Sequence, residues 1–208
     1  IYQTGDTTVG NAQAGDVRII DQNGDNVIDI SDRTIIGNPN PDYTFGINLS
    51  VRYKAFSLSA LVNGVYGNDI VNGNLIQMGN AEGLFRNILT DAYHGAWRPE
   101  KPSNSYPRIG YLGNDGPEFL AISDRYVEDG SYLRLNNITL GYDLPINENN
   151  TIKGANIYVT GQNLLTLTNY SGYDPEITSF MWTGLINGVD WNGPPNSRNI
   201  LIGLNLNF

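Results

Sequence analysis

The sequence contains no cysteine and a single histidine, His94, in 208 residues. A disulfide framework is therefore excluded, and thiolate or histidine-rich metal chemistry has no ligands to build on. A nucleophile–histidine–acid arrangement would have to use His94, which falls in a turn-rich stretch and reads as a loop histidine. Charge is scarce too: 16% of residues are charged, against about 25% in an ordinary soluble domain. Cations are the scarcer kind, with 12 Lys and Arg against 21 Asp and Glu, for a net charge of -9. Nucleic acid is excluded as a partner, because phosphate binding needs clustered cations. No apolar run approaches the ~18 residues of a membrane helix. The opening "IYQTGDTTVG" lacks the basic start and apolar core of a signal peptide. It reads as mid-protein sequence, and the chain is expected to be part of something longer.

Glycine (24), tyrosine (13) and abundant asparagine fill the space. This is the composition of strands joined by many turns. Five stretches alternate with period two. In 43–54, Ile47, Leu49, Val51 and Tyr53 oppose Asn48, Ser50, Arg52 and Lys54. In 56–66, Leu58, Ala60, Val62 and Tyr66 oppose Ser57, Ser59 and Asn63. In 131–144, Ile138, Leu140, Tyr142 and Leu144 oppose Thr139, Gly141 and Asp143. Leu133 and Leu135 are out of phase with that half, which a bulge near Asn136–Asn137 or an exit from the apolar zone would explain. In 155–167, Ile157 and Val159 are assigned to the apolar face. The last stretch is "RNILIGLNLNF", with Ile200, Ile202, Leu204, Leu206 and Phe208 on every second position.

The connections alternate between short and long. "KAF" joins the first two stretches and "PINENNTIKG" the third and fourth, whereas 67–130 and the stretch around 169–197 are long. Short turns on one side and long loops on the other are the pattern of a transmembrane β-barrel. Long structureless loops are uncommon in compact soluble domains. The barrel reading sends Ile47, Leu49, Val51, Leu58, Ala60, Val62, Leu140, Ile200, Ile202 and Leu204 to lipid and the polar faces to a watery lumen. Tyr43, Phe45 and Tyr66 then lie at one level, and Tyr53, Phe56, Tyr142 and Phe208 at the other, as aromatic girdles do. An antiparallel sandwich with its aliphatic faces packed together has the same periodicity. The loop asymmetry and the terminal aromatic favour the membrane. Within the first long loop, "EGLFRNILTDAYHGAW" has Leu84, Ile88 and Leu89 at helical spacing and predicts a short helix. "NGNLIQMGN" and "NGVDWNGPPN" read as turns.

Four stretches, with the terminal "NLNF", carry a family resemblance. They are "GDVRIIDQNGDNVIDISDRTIIGNPNPDYTFGINLS", "AWRPEKPSNSYPRI", "DRYVEDGSYLRLNNITLGYDLP" and "IYVTGQNLLTLTNYSGYDPE". From about Gly15 to Phe208 the chain resembles the C-terminal part of the SusC/RagA family of TonB-dependent outer-membrane transporters. The resemblance implies an all-β fold, the last five strands of an antiparallel barrel of ~22 strands around a plug. It implies an outer-membrane importer of oligosaccharides or peptides that is not an enzyme. Implied partners are a SusD-like surface lipoprotein, the TonB complex and the remainder of the barrel. Phe208, Leu206 and Leu204 resemble the terminal signal read by the barrel-assembly machinery. Phe208 then lies at the periplasmic rim, 54–55 and 147–150 are periplasmic turns, and 79–114 and 172–196 are extracellular. Residues 1–41 form an extracellular loop segment and 42–208 the strands and their loops. The alternative is a secreted, calcium-stabilised β-sandwich that binds carbohydrate.

"DQNGDNVIDISD" places Asp21, Asn23, Asp25, Val27, Asp29 and Asp32 at the first, third, fifth, seventh, ninth and twelfth positions of an EF-hand-like loop. Such spacing folds hard oxygens around one Ca²⁺, with Val27 offering its carbonyl. Asn26 stands at the glycine position and Asp32 replaces the usual glutamate; an acidic turn that binds nothing is the competing reading. Trp97, Tyr106, Tyr173, Trp182 and Trp191 lie in the long loops and offer faces to substrate or to a lid, or else pack loop on loop. Asp174 and Glu176 are a conceivable carboxylate pair, but Asp-Pro-Glu reads better as a turn.

Overall fold

The computed structural model describes residues 1–8, 12–79, 87–109, 123–146, 151–176, 179 and 186–208. Among these, a 3₁₀ turn at Ile30–Asp32 precedes strands β1 (Tyr43–Tyr53), β2 (Phe56–Tyr66) and β3 (Asp69–Asn72). Helices α1 (Gly73–Met78) and α2 (Thr90–Gly95) follow, then a 3₁₀ turn at Asp124–Tyr126. The remaining strands are β4 (Val127–Asp129), β5 (Tyr132–Leu144), β6 (Gly154–Thr168), β7 (Val189–Asp190) and β8 (Asn199–Asn207). Packing divides the chain into two compact units. One gathers Ile1–Gly37, Val71–Val127 and Val189–Asn192; the other holds Asn38–Ile70, Glu128–Gly188 and Gly193–Phe208. Parts of both long connections pack with the N-terminal segment.

The second unit is built on one antiparallel sheet in the order β1-β2-β5-β6-β8. Its register lines up the apolar residues in rows. Val51, Leu58, Leu140, Val159 and Ile202 form one row across all five strands. Leu49, Ala60, Ile138, Gly161 and Ile200 form the next, and Tyr53, Phe56, Tyr142, Ile157 and Leu204 the row toward one end. Successive residues face opposite sides of a sheet, so the intervening rows are polar. Ser50, Ser59, Thr139 and Thr160 share one, with the two threonine hydroxyls 2.8 Å apart. Lower on this face Asp143 pairs with Arg52 and accepts a 2.8 Å hydrogen bond from Asn156. Leu61 and Leu201 are apolar exceptions in these rows.

The irregularity near Asn136 is a bulge. Pairing on both sides of β5 jumps from Asn137 to Leu135, leaving Asn136 as the extra residue. The extra residue returns Leu133 and Leu135 to the apolar face, opposite Leu167 and Leu165 of β6. On β6, Asn163 takes a left-handed backbone (φ 52°) beside this irregularity, which is why that strand was the least regular to read. The sandwich reading fails on exposure. Leu140 is 53% and Ile202 78% exposed, and among the described residues no second sheet covers them. The aromatics cluster at the two ends of the band: Tyr43 stacks on Tyr66 at 5.1 Å, and Phe56 meets Tyr142 at 4.8 Å. Eleven residues of β1, rising ~3.4 Å each and tilted by about 40°, span ~26 Å. That matches the ~25 Å apolar band of a membrane barrel.

Glycine is required where side chains cross the sheet. A Cβ at Gly203 would lie 2.2 Å from the Tyr158 ring, and one at Gly64 2.6 Å from Phe45. Each aromatic thus covers the bare backbone of the neighbouring strand.

In the first unit β3 and β7 pair in parallel, Val71 opposite Val189 and Asn72 opposite Asp190. The "NGNLIQM" stretch is helical rather than a turn. The Asn72 side chain caps α1 by accepting from the Asn74 and Leu75 N–H groups. A six-residue helix is too short to display a periodicity. Within the stretch expected to form a helix on Leu84, Ile88 and Leu89, a helix is present only as α2, which begins after them with Leu89 as its N-cap; Ile88 is not helical, and Leu84 lies outside the described residues.

Leu140→Arg, in the middle of the apolar band, is expected to destabilise the whole barrel in lipid vesicles by about 2–4 kcal/mol in urea unfolding. Ser50→Arg, on the polar face, is expected to leave the midpoint nearly unchanged.

Candidate functional site

The acidic loop at 21–32 is closed by its own side chains. Asp21 accepts from the Gly24 and Asn26 N–H groups at 2.6 and 2.7 Å, and Asp25 from Val27 N–H at 2.8 Å. Asn26 has φ 64°, so the asparagine at the glycine position adopts the left-handed turn the loop needs. Asp29 and Asp32 form a capping box on the 3₁₀ turn. Asp32 also accepts from Gln22 N–H at 2.7 Å. The N–H groups of Asp29 and Gln22 hold its carboxyl below the ordinary carboxylate range. The backbone therefore fits an ion-binding loop, while the side chains are turned onto N–H groups. Among the described residues no three His, Cys, Asp or Glu side chains are gathered closely enough to hold an ion.

The loop aromatics separate by environment. Trp97 is buried; its ring lies over Gly15 (φ 90°), where a Cβ would come within 2.5 Å, and its indole N–H donates to Gln3 at 3.0 Å. Beside it Arg108 N–H reaches the Gly15 carbonyl, and Arg108 Nε meets the buried Asp16 at 2.6 Å. Trp97 thus packs loops together and presents no open face. Trp191 is partly exposed and covers Gly73. Tyr173 is exposed at 71% and open to a partner. Tyr106 is half-buried beside a cavity. Trp182 lies outside the described residues. His94 is exposed, its ring edge-on to Tyr93, and it stands in the last turn of α2 rather than in a loop.

Sequence reasoning missed the charged knot around Arg134. This arginine is 2% exposed on the polar side of β5. Its Nε donates to Thr166 at 3.0 Å, one terminal nitrogen to Glu176 at 2.6 Å and the other to Asp174. Asp174 also accepts from Glu176 N–H and Asn196 N–H. The Asp-Pro-Glu turn is therefore a clamp that pins the loop after β6 onto the sheet wall, and its acids are neutralised rather than poised as a catalytic pair. The signal available in sequence was an arginine at a strand position flanked by Leu133 and Leu135.

At the C-terminal edge, Leu204 and Leu206 pair with Ile157 and Ala155, and Phe208 ends the chain 75% exposed. β8 is paired only on its β6 side, so its outer edge is open to a further strand.

No model of a known protein family matches the chain. Curated relatives do. It is 34% identical over its whole length to TonB-dependent receptor P3 of Formosa agariphila, covering 21% of that protein. It is 31% identical over 91% of its length to TonB-dependent receptor SusC of Bacteroides thetaiotaomicron, covering 17% of it. Among solved structures, the RagAB peptide importer in its closed-closed state matches 83% of the chain and 18% of the matched chain, at 29% identity and a TM-score of 0.67. The chain thus spans about a fifth of the length of the curated relatives it matches. Receptors and an importer are named here, and no enzyme.

Burial alone would raise the Asp174 carboxyl, but the Glu176 N–H, the Arg134 guanidinium and the Asn196 N–H outweigh it and hold it below the ordinary range. A carboxyl lowered in the folded state stabilises at neutral pH, and that contribution is lost as pH falls below the ordinary Asp value of ~3.9. Asp174→Asn is expected to open the 169–176 loop to protease at neutral pH. The wild type should open there only in acid. Arg134→Met, which strands two acids, should cost on the order of 3 kcal/mol.

Proposed function

Because the chain belongs to the SusC/RagA family of TonB-dependent transporters and matches the C-terminal part of such a protein, we propose that it forms the final wall of an outer-membrane importer of oligosaccharides or peptides. The observation that carries the reading is the exposed apolar band across five strands, in a chain whose relatives are TonB-dependent receptors. A sheet of this kind leaves two edges, at β1 and β8, that the remaining strands of a barrel close. The polar face lines the lumen, where the Arg52–Asp143–Asn156 group meets water or plug. A SusD-like lipoprotein caps the outer loops and delivers ligand, and the TonB complex supplies energy through the plug. The paired naming of the RagAB neighbour supports a two-component assembly.

The loops holding Tyr173 and the Arg134 clamp are placed outside the cell, and the Lys54–Ala55 turn in the periplasm. The chain has no cysteine, so single introduced cysteines report cleanly. A cysteine at Tyr173 should react with an impermeant reagent on intact cells, and one at Asn149 only after lysis. The reverse pattern would invert the assignment. Deletion of Phe208 should lower the amount of protein in the outer-membrane fraction, as expected if Phe208, Leu206 and Leu204 form the assembly signal. Loss of ligand uptake when TonB is removed tests the importer reading itself.

Calcium is the second part of the proposal. Asp21, Asn23, Asp25 and Asp32, with the Val27 carbonyl and Asp29 alone or through water, would hold one Ca²⁺ at about 2.3–2.6 Å. The left-handed Asn26 and the Asx turns support it, since the backbone is already shaped for the ion. Nitrogen and sulfur donors are absent from the stretch, which disfavours zinc. Added calcium should protect 15–37 from protease in the wild type and not in Asp25→Ala, with the barrel's heat-modifiable gel mobility unchanged in both. Equal cleavage with and without calcium would leave only an acidic turn.

A further inference from the structure

We propose that a cavity in the first unit, lined by Leu75, Gly79, Ser105, Tyr106, Arg125 and Tyr126, is a binding site for a carboxylate carried on a small sugar or peptide ligand. The cavity holds about 340 Å³, at the lower end of ligand pockets. That is room for one or two residues of an oligomer and no more. Its one charged lining residue is Arg125, half-buried. The guanidinium is held in place from two sides. One terminal nitrogen donates to the Ser105 carbonyl, and the group lies over the Tyr106 ring, 5.4 Å from its centroid. Among the described residues no carboxylate pairs with it, whereas Arg52, Arg108 and Arg134 each meet an acid.

Those restraints use one of five N–H donors. The fork that remains matches the two oxygens of a carboxylate bidentately. Two tyrosines and one aliphatic side chain line the cavity with it. The Tyr126 ring is buried, Tyr106 is half-buried and Leu75 supplies the apolar wall. Such a lining suits the carbon skeleton that carries the acid, a pyranose ring or a short peptide segment. Phosphate is a poorer match, because a dianion asks for several donors where one guanidinium is offered. In a chain of net charge -9, a cavity whose charged lining residue is an arginine without an acid partner among the described residues favours an acidic ligand. Tyr106 was already a contact candidate from sequence; Arg125 supplies the chemistry that says contact with what.

The role in uptake rests on the importer reading, but binding does not. The test uses the whole transporter purified in detergent and titrated with matched pairs by calorimetry. One pair is a disaccharide of a uronic acid and a neutral sugar, with its carboxyl-reduced counterpart. The other is a dipeptide with a free C-terminal carboxylate, with its C-terminal amide. The acid member of one pair is expected to bind at least ~10-fold more tightly than its neutral partner. The pair that shows the preference identifies the source. Arg125→Gln should abolish the preference, Arg125→Lys should keep part of it, and Leu75→Trp should fill the cavity and remove binding. Heat-modifiable mobility checks that each variant is folded. Equal binding of acid and neutral probes by the wild type, no binding of any probe, or a preference that survives Arg125→Gln would each overturn the proposal. The wild-type comparison decides even if a variant fails to fold. Arg125-dependent binding without TonB-dependent uptake would keep the site and reject the importer reading.

Discussion

Five strands whose apolar residues all fall on one face pose a single physical problem: that face has to be kept out of water. Burying apolar surface is worth roughly 25 cal/mol per Å², and rows such as Val51–Leu58–Leu140–Val159–Ile202 run the full width of the sheet. A soluble protein would lay a second sheet or helices over them. Here the band is open among the described residues, bounded by aromatics at both ends and close in height to a bilayer core. Hydrocarbon solves the problem at no cost in extra chain. It also explains the backbone, since strands in lipid must satisfy every N–H and C=O through neighbours. The long, fully registered ladders of β1, β2, β5, β6 and β8 meet that demand except at the two outer edges.

With most apolar surface of the sheet committed outward, the loops are held by a small set of buried side chains such as Ile70, Trp97 and Tyr170 together with buried polar contacts, several of them charged. Asp16 with Arg108, Asn74 with Asp190, and Arg134 with Asp174 and Glu176 occupy places that Leu and Ile would fill in a soluble core. Such groups are costly to bury unpaired, and these are paired except for the Asn74 amide oxygen, which is buried without a partner. Polar contacts of this kind specify one loop arrangement more sharply than they stabilise it.

The strands were legible because their signal is local and repeated. Alternation over about ten residues names the face of each side chain, and the phase slip at Leu133 and Leu135 marked an irregularity that the strand pairing resolves as a bulge at Asn136. The order of the strands followed from connection length. The loops were not legible to the same degree, for a physical reason. Arg134 meets Asp174 and Glu176 across some forty residues of chain, and no periodicity links them. α1 rests on one cap, Asn72, and β7 on two residues, too few to rise above a turn-rich background. Trp97 shows the same limit from the other side. Sequence can say that an aromatic sits in a loop, but only the left-handed Gly15 beneath it decides that the ring is packed rather than offered.

The scarcity of cations, read first as an exclusion, also organises the sites. Twelve lysines and arginines serve 21 acids, so arginines have acids to choose from, and Arg108 and Arg134 are each paired with them. Arg125 has no acid paired with it among the described residues, and what separates it from Arg98, which also sits on a carbonyl and a ring, is that it lines a cavity. Arg125 is fixed by a carbonyl and a ring, partners that orient a guanidinium without cancelling its charge. Orientation without neutralisation is what recognition of an anion requires, because the ligand then meets a positive field already aimed and already partly desolvated. Stability and recognition use the same residue type here, and the presence or absence of an acid partner separates the two roles.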